Sequence, residues 1–125
     1  AASDVYKRQD AWDMSDAGDG SILAWMSGNN LYVASNGKIA PNPNASNMFG
    51  RFVNLKEINF GRNFDTSNVT NMSYMFYNCR SLTKLDLSYF HASSATNTTS
   101  MFKNCDMLKT LIGSDSKILE VFRDR

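Results

Sequence analysis

The sequence contains only two cysteines and one histidine in 125 residues. Two cysteines that do not form a C-x-x-C pair exclude a disulfide-rich scaffold, and a single histidine leaves little with which to build a zinc site. No apolar run approaches the ~20 residues that a membrane span requires, so we expect no membrane insertion of this segment. The net charge is only +1, with both signs interspersed, and we therefore expect no nucleic-acid partner.

Catalytic motifs are also lacking. The sequence has no G-x-S-x-G, no phosphate-binding loop and no His/Cys cluster, so nothing in it would activate a nucleophile or hold a metal. We predict that the chain is not an enzyme and has no catalytic residues, cofactor or metal. What is present is 42% apolar residues, enough to bury the core of one domain.

Three segments of the chain repeat the pattern N-x-[ST]-x-M-F. They start at Asn44, Asn71 and Asn97, at offsets of 27 and 26 residues. Each Asn is followed by apolar residues at helical spacing, which predicts a two-turn helix with the Asn as its N-cap and one face toward a core. The stripe residues are Ala45, Met48, Phe49 and Phe52 in the first unit, Met72, Met75, Phe76 and Cys79 in the second, and Met101, Phe102 and Cys105 in the third.

Each of these segments is followed by a pattern typical of a short strand. In "LTKLDL", Leu85 and Leu87 alternate with Lys84 and Asp86, and L-x-x-L-x-L is the strand signature of leucine-rich repeats. One strand and one short helix cannot close a core, whereas stacked copies can. The predicted fold class is therefore an α/β solenoid, a leucine-rich-repeat-like stack of short parallel strands and short helices or turns. In that stack Glu57 would neighbour Lys84.

The repeat "FDTSNVTNMSYMFYNCRSLTKLDLSYF", residues 64–90, resembles the BspA-like leucine-rich repeats of bacterial surface proteins. The resemblance is close over residues 44–111, and "AWDMSDAGDGSILAWM" is similar to a segment that often precedes such repeats. It implies a right-handed solenoid of a secreted or cell-surface protein, with adhesion or host binding in some members. It carries over no catalytic residue. The third unit departs from the pattern, with Ala95 and Thr98 in place of Val69 and Met72.

The segments outside the repeat divide the chain further. Residues 1–10 are predicted to be non-native or disordered, because "DVYKRQ" reads like a translated sequencing adaptor, although an ordinary flexible terminus is the alternative. Residues 11–43 alternate like a β-meander, with a type I′ turn signal at Asn36-Gly37, and would cap the solenoid of residues 44–113 with the help of Trp12 and Trp25. Residues 114–125 are a tail or a partial cap. We expect the chain to be a monomeric fragment of a longer repeat protein.

Three clusters invite a chemical interpretation, and each has a plainer one. Cys79 and Cys105 are either buried thiols of the stripe, which we favour, or a disulfide. Asp13, Asp16 and Asp19 form either a calcium site or, as we prefer, a polar turn. The N-x-[ST] sequons at Asn44, Asn68, Asn71 and Asn97 are either glycosylation sites or, for three of them, the cap position of the repeat.

The outward residues of the predicted strands are the candidate binding site. They would line an extended sheet face, where solenoids commonly bind, but they offer no aromatic anchor. We predict a non-enzymatic module that binds an unidentified protein or glycan partner; a purely structural spacer of a larger surface protein is the alternative. The residues of this face are Glu57, Asn59, Lys84, Asp86 and Thr110, with Ile112 as a further candidate.

Overall fold

The computed structural model describes residues 12–13, 22–35, 40–60 and 64–125. The described residues form one mixed sheet, in which the strands follow their chain order, and one helix. The elements are β1 (Trp12–Asp13), β2 (Ile22–Ser27), β3 (Asn30–Ser35), β4 (Glu57–Phe60), β5 (Lys84–Leu85) and α1 (Ser116–Arg123).

The sheet begins with antiparallel strands, as the alternating pattern of this region predicts. β1 pairs with β2, and β2 pairs with β3 through a hairpin closed by Ser27 and Asn30. Gly28 occupies the first position of the two-residue turn with a φ of 60°. A positive φ there is what a type II′ turn requires, and glycine adopts it without steric cost.

The sheet then continues with parallel strands. β3 pairs with β4 so that Asn30 lies opposite Glu57, and β4 pairs with β5 so that Glu57 lies opposite Lys84. A parallel bridge between Asp86 and Ile112 extends the same arrangement by one further unit. Each of the three strands has an inward side chain that is 1% exposed, namely Leu31, Ile58 and Leu85. The predicted neighbourhood of Glu57 and Lys84 is therefore confirmed.

The segments that begin at Asn44, Asn71 and Asn97 are turns, so the prediction of two-turn helices is wrong. We refer to residues 44–52, 71–79 and 97–105 as the first, second and third turn segments. Each consists of overlapping β-turns rather than helical hydrogen bonds; in the second, Met75 N bonds to Met72 O and Tyr77 N to Tyr74 O. Residues in the left-handed region, such as Tyr74 at φ 56° and Asn78 at φ 60°, interrupt any helix.

The Asn side chains do not cap helices, but their oxygens accept from nearby amides at the start of each segment, as predicted. The Oδ1 atom of Asn71 accepts from the amide of Ser73 at 3.0 Å, and those of Asn44 and Asn97 accept from the amide two residues on at 3.1 Å. This geometry is an Asx turn, the counterpart in a turn of the N-cap in a helix. The apolar stripe also faces the core as predicted, with one exception: Phe52 is 43% exposed.

The core lies between the sheet and the turn segments. Its centre is a row of parallel rings in which Phe49, Phe76 and Phe102 stack at centroid distances of 5.7 and 5.6 Å. Phe60 contacts the first two rings edge-on from the sheet side, so the two layers interlock. Stacked and edge-to-face arrangements at these distances stabilise aromatic pairs beyond the area that they bury.

The C-terminal helix α1 packs against the third unit, where the sequence predicted only a tail or a partial cap. Asp115 is its N-cap, with Oδ1 accepting from the amide of Ile118 at 3.0 Å. Phe122 meets Phe102 edge-on at 5.4 Å, and an Arg125 Nη2 donates to the carbonyl of Leu108 at 2.6 Å. The helix therefore closes the row of stacked rings on this side.

Candidate interaction face

The outer side of the sheet carries two rows of side chains that cross the strands. Backbone pairing aligns Asn30, Glu57 and Lys84 in one row, and Tyr32 with Asn59 in the other. The second row continues toward Asp86, which is bridged to Ile112. Successive residues of a strand point to opposite faces, so these side chains lie opposite the buried ones. We refer to this surface as the sheet face.

The two charges of the first row form an ion pair. Lys84 Nζ lies 3.4 Å from Glu57 Oε1, with side-chain exposures of 62% and 24%. A pair so open to solvent contributes about 0–1 kcal/mol to stability. The Glu57–Lys84 pair therefore contributes little to folding stability. Both charges remain within reach of a partner.

Asp86 holds a fixed orientation on the sheet face. Its Oδ1 atom accepts hydrogen bonds from the amide of Ser88, at 3.0 Å, and from the Ser88 hydroxyl. A second carboxylate oxygen is left at an exposed position. Such a preorganised acceptor loses less conformational freedom on binding than a free side chain does. Thr110 is exposed as well, two residues before Ile112, whose own exposure is 46%.

Tyr32 is a residue of the sheet face that the prediction missed. β3 pairs in parallel with β4, which places this half-buried aromatic residue beside Asn59. The alternation of "NLYVAS" puts Tyr32 on the side opposite Leu31 and Val33. That pattern alone does not tell which strand lies beside it, because the register is set by the tertiary pairing.

The two cysteines are buried inside the stack as free thiols. Cys79 Sγ donates to the carbonyl oxygen of Phe49 at 3.2 Å, and Cys105 Sγ to that of Phe76 at 3.1 Å. Burial raises the pKa of Cys79 to about 12 and that of Cys105 to about 11. A thiol held neutral in this way is a poor nucleophile and a poor metal ligand, which fits a packing role.

The remaining chemical candidates fall partly outside the described residues. Asp16 and Asp19 lie there, as do residues 1–10, the turn predicted at Asn36-Gly37 and the side chains of Asp13, Trp12 and Trp25. Within the part that is described, no three His, Cys, Asp or Glu residues are grouped so as to hold a metal ion. Across those same residues, no helix has the length and apolarity to cross a membrane.

Comparison with known proteins identifies a family. A family model described as "Mycoplasma protein of unknown function, DUF285" matches residues 41–119, well over half of the chain. The matched range contains the three turn segments, β4, β5 and the first residues of α1. Comparison with curated proteins found no match, and comparison with solved structures found none either.

Proposed function

The chain belongs to the DUF285 family, and we propose that it is a non-enzymatic interaction module that binds a protein or glycan partner through its sheet face. The observation that carries this proposal is the cross-strand register, which assembles a half-buried aromatic, an amide and charged groups of both signs on one continuous surface. Mixed polar groups beside an aromatic residue suit recognition of a polar partner.

The wider architecture in this proposal is a solenoid of the BspA-like leucine-rich-repeat kind, on a secreted or cell-surface protein. Two features support it. The units recur at offsets of 27 and 26 residues, and equivalent positions of successive units are bonded to one another in parallel, as Asn44 is to Asn71 and Asn71 to Asn97. Stacked repeats of this kind form elongated surfaces that commonly serve for binding.

A structural spacer is the second candidate function. It is favoured by the shallow form of the sheet face beside Asp86 and Tyr89, where the cavity has a volume of only about 40 Å³. A spacer would present the same ion pairs and polar rows simply as a solvated surface.

A pair of matched double variants separates the two candidates. Lys84→Ala/Asp86→Ala removes both signs of charge from the sheet face, and Arg80→Ala/Asp106→Ala removes the same charges from exposed positions elsewhere. Binding is measured to a glycan array and to extracellular-matrix proteins, with circular dichroism as the folding control. We expect the first variant alone to lose binding. Equal binding by both folded variants, or no binding by the unaltered chain, would favour the spacer.

A further inference from the structure

The backbone hydrogen bonds between the turn segments all run in one direction. Every second amide of the first segment donates to the second, as Phe49 N does to Met75 O at 2.9 Å. The same alternation joins the second segment to the third, where Tyr74 N bonds to Thr99 O and Asn78 N to Lys103 O. These alternate amides therefore point toward the third segment, whereas the opening amides of Asn71 and Asn97 donate backwards, to Pro43 O and Thr70 O.

This polarity leaves a row of donors at the end of the stack. The amides of Thr98, Ser100, Phe102 and Asn104 are equivalent in the repeat to those that donate in the second segment. None of the four has a hydrogen-bond partner among residues 12–13, 22–35, 40–60 and 64–125. Phe102 is 0% exposed, so its amide is also withheld from water, and a buried unpaired amide is rare in folded proteins.

Thr98 and Ser100, the first two residues of the donor row, line a groove of about 570 Å³ between the third turn segment and α1. The groove walls are held in place by side chains that bond to main-chain carbonyls. Lys117 Nζ donates to Ala95 O at 2.7 Å, and Arg125 donates to Leu108 O. Thr98 and Ser100 both contribute only small side chains to the lining, which leaves their amides open to the groove, whereas the amide of Phe102 is buried and Asn104 is not part of the lining.

We propose that this groove binds an extended polypeptide segment, which adds to the stack by offering a carbonyl at every second residue. The basis is continuity, because two such rows of carbonyls already occupy the equivalent position one and two units earlier. Addition of an extended chain to an open backbone edge is a common mode of peptide recognition. Phe122 already covers the ring of Phe102, so the occupant is a single polar segment rather than a second copy stacked through its own phenylalanines.

The test uses an end-blocked peptide of sequence NTTSSTN, which keeps the polar pattern of the turn segments and omits the Met-Phe pair. Amide exchange in the full chain is followed by NMR. We expect the peptide to protect Thr98 and Ser100 from exchange. The equivalent amides of Met72 and Tyr74 are already paired at 2.8 and 3.0 Å and serve as internal controls that do not change.

A blocking variant makes the test specific to the groove. Thr98→Trp places an indole over the donor row, and Thr110→Trp places the same group at an exposed site near the sheet face. We expect the first to weaken peptide binding about tenfold, as the loss of one or two backbone hydrogen bonds implies, and the second to leave it unchanged.

Three outcomes would overturn the proposal: no added protection at millimolar peptide, equal protection by inorganic phosphate, or peptide shifts centred on Glu57 and Lys84. Its failure leaves the proposed function of the sheet face untouched.

Discussion

The rings of Phe76 and Phe102 stack nearly parallel, with centroids 5.6 Å apart and an interplanar angle of 6°. On its other side Phe76 stacks on Phe49 at 5.7 Å. One side chain thus joins three successive turn segments, although 26 or 27 residues of chain separate it from each neighbour. Packing between units, and not local helical structure, is what holds these segments in place.

The first prediction concerns that central ring. Phe76 is fully buried, so Phe76→Ala should lower the free energy of unfolding by about 3–5 kcal/mol, through lost burial and the cavity that remains. Urea denaturation followed by fluorescence provides the measurement. Met107→Ala, at a position 55% exposed, is the control and should change stability by less than about 0.5 kcal/mol. A loss at Phe76 no larger than the control's would contradict the inter-unit role.

The second prediction is a loss of stability at high pH caused by the buried thiols. Desolvation raises the pKa of Cys79 and Cys105 from the ordinary 9.0 to about 12 and about 11. Above pH 9 the unfolded thiols release protons while the folded ones retain them. The unfolded state is then favoured, so this contribution to stability is complete below pH 9 and is lost as the pH rises toward the folded values.

The size of the effect follows from linkage. Each thiol should lower the free energy of unfolding by up to about 1.4 kcal/mol per pH unit in this range. The measurement is denaturant unfolding between pH 8 and about 11, compared with Cys79→Ala/Cys105→Ala. The double variant is less stable at pH 8 but should show a shallower decline. Parallel curves for the two proteins would show that the thiols titrate normally.

The sequence predicts which residues form the core better than it predicts their backbone conformation. Met72, Met75 and Cys79 are buried as their spacing requires, yet they lie on turns. Apolar residues spaced three and four apart lie on one side of a helix. Overlapping turns also place residues at this spacing on the same side of the chain. The difference depends on left-handed residues such as Tyr74 and Ser100, whose side chains give no signal for that conformation, as glycine would have done.

The exposure of Phe52 and the place of Tyr32 on the sheet face depend on which segments lie beside them in space. Phe52 occupies the repeat position of Cys79, but its unit is the first of the three, so no earlier turn segment among the described residues covers it, and it is 43% exposed. Tyr32 joins the sheet face because β3 pairs with β4. By contrast, the Glu57–Lys84 pair could be predicted, since the repeat itself fixes the register between equivalent strands.

The third prediction addresses the strained backbone of the turn segments. Ser100 has a φ of 55°, in a region that costs an L-residue roughly 1–2 kcal/mol, and more for a β-branched side chain. Ser100→Gly should therefore raise the melting temperature, and Ser100→Val should lower it by several degrees. The control is Thr110→Val, at an exposed position, where we expect little change. Destabilisation by Ser100→Gly would mean that glycine entropy in the unfolded chain outweighs the relief of strain.

The fourth prediction separates the two hydrogen bonds of Asp115. Its Oδ1 atom accepts from the amide of Ile118, inside α1, and its Oδ2 atom accepts from the amide of Ala92 at 2.9 Å, in the preceding unit. Asp115→Ala removes the helix cap and leaves a part-buried amide unpaired, so we expect a loss of about 2–3 kcal/mol. Asp115→Asn keeps one acceptor oxygen and should lose roughly half as much.

Hydrogen exchange distinguishes the two contributions. In Asp115→Ala the amides of α1 and that of Ala92 should both exchange faster than in the unaltered chain. In Asp115→Asn the remaining carbonyl oxygen can serve only one of the two donors, so only one of these sites should lose protection. Because a helix of eight residues is unstable alone, loss of the cap should loosen α1 before the stacked units unfold. A single transition in which α1 and the second turn segment lose protection together would instead show that the helix is an inseparable part of the core.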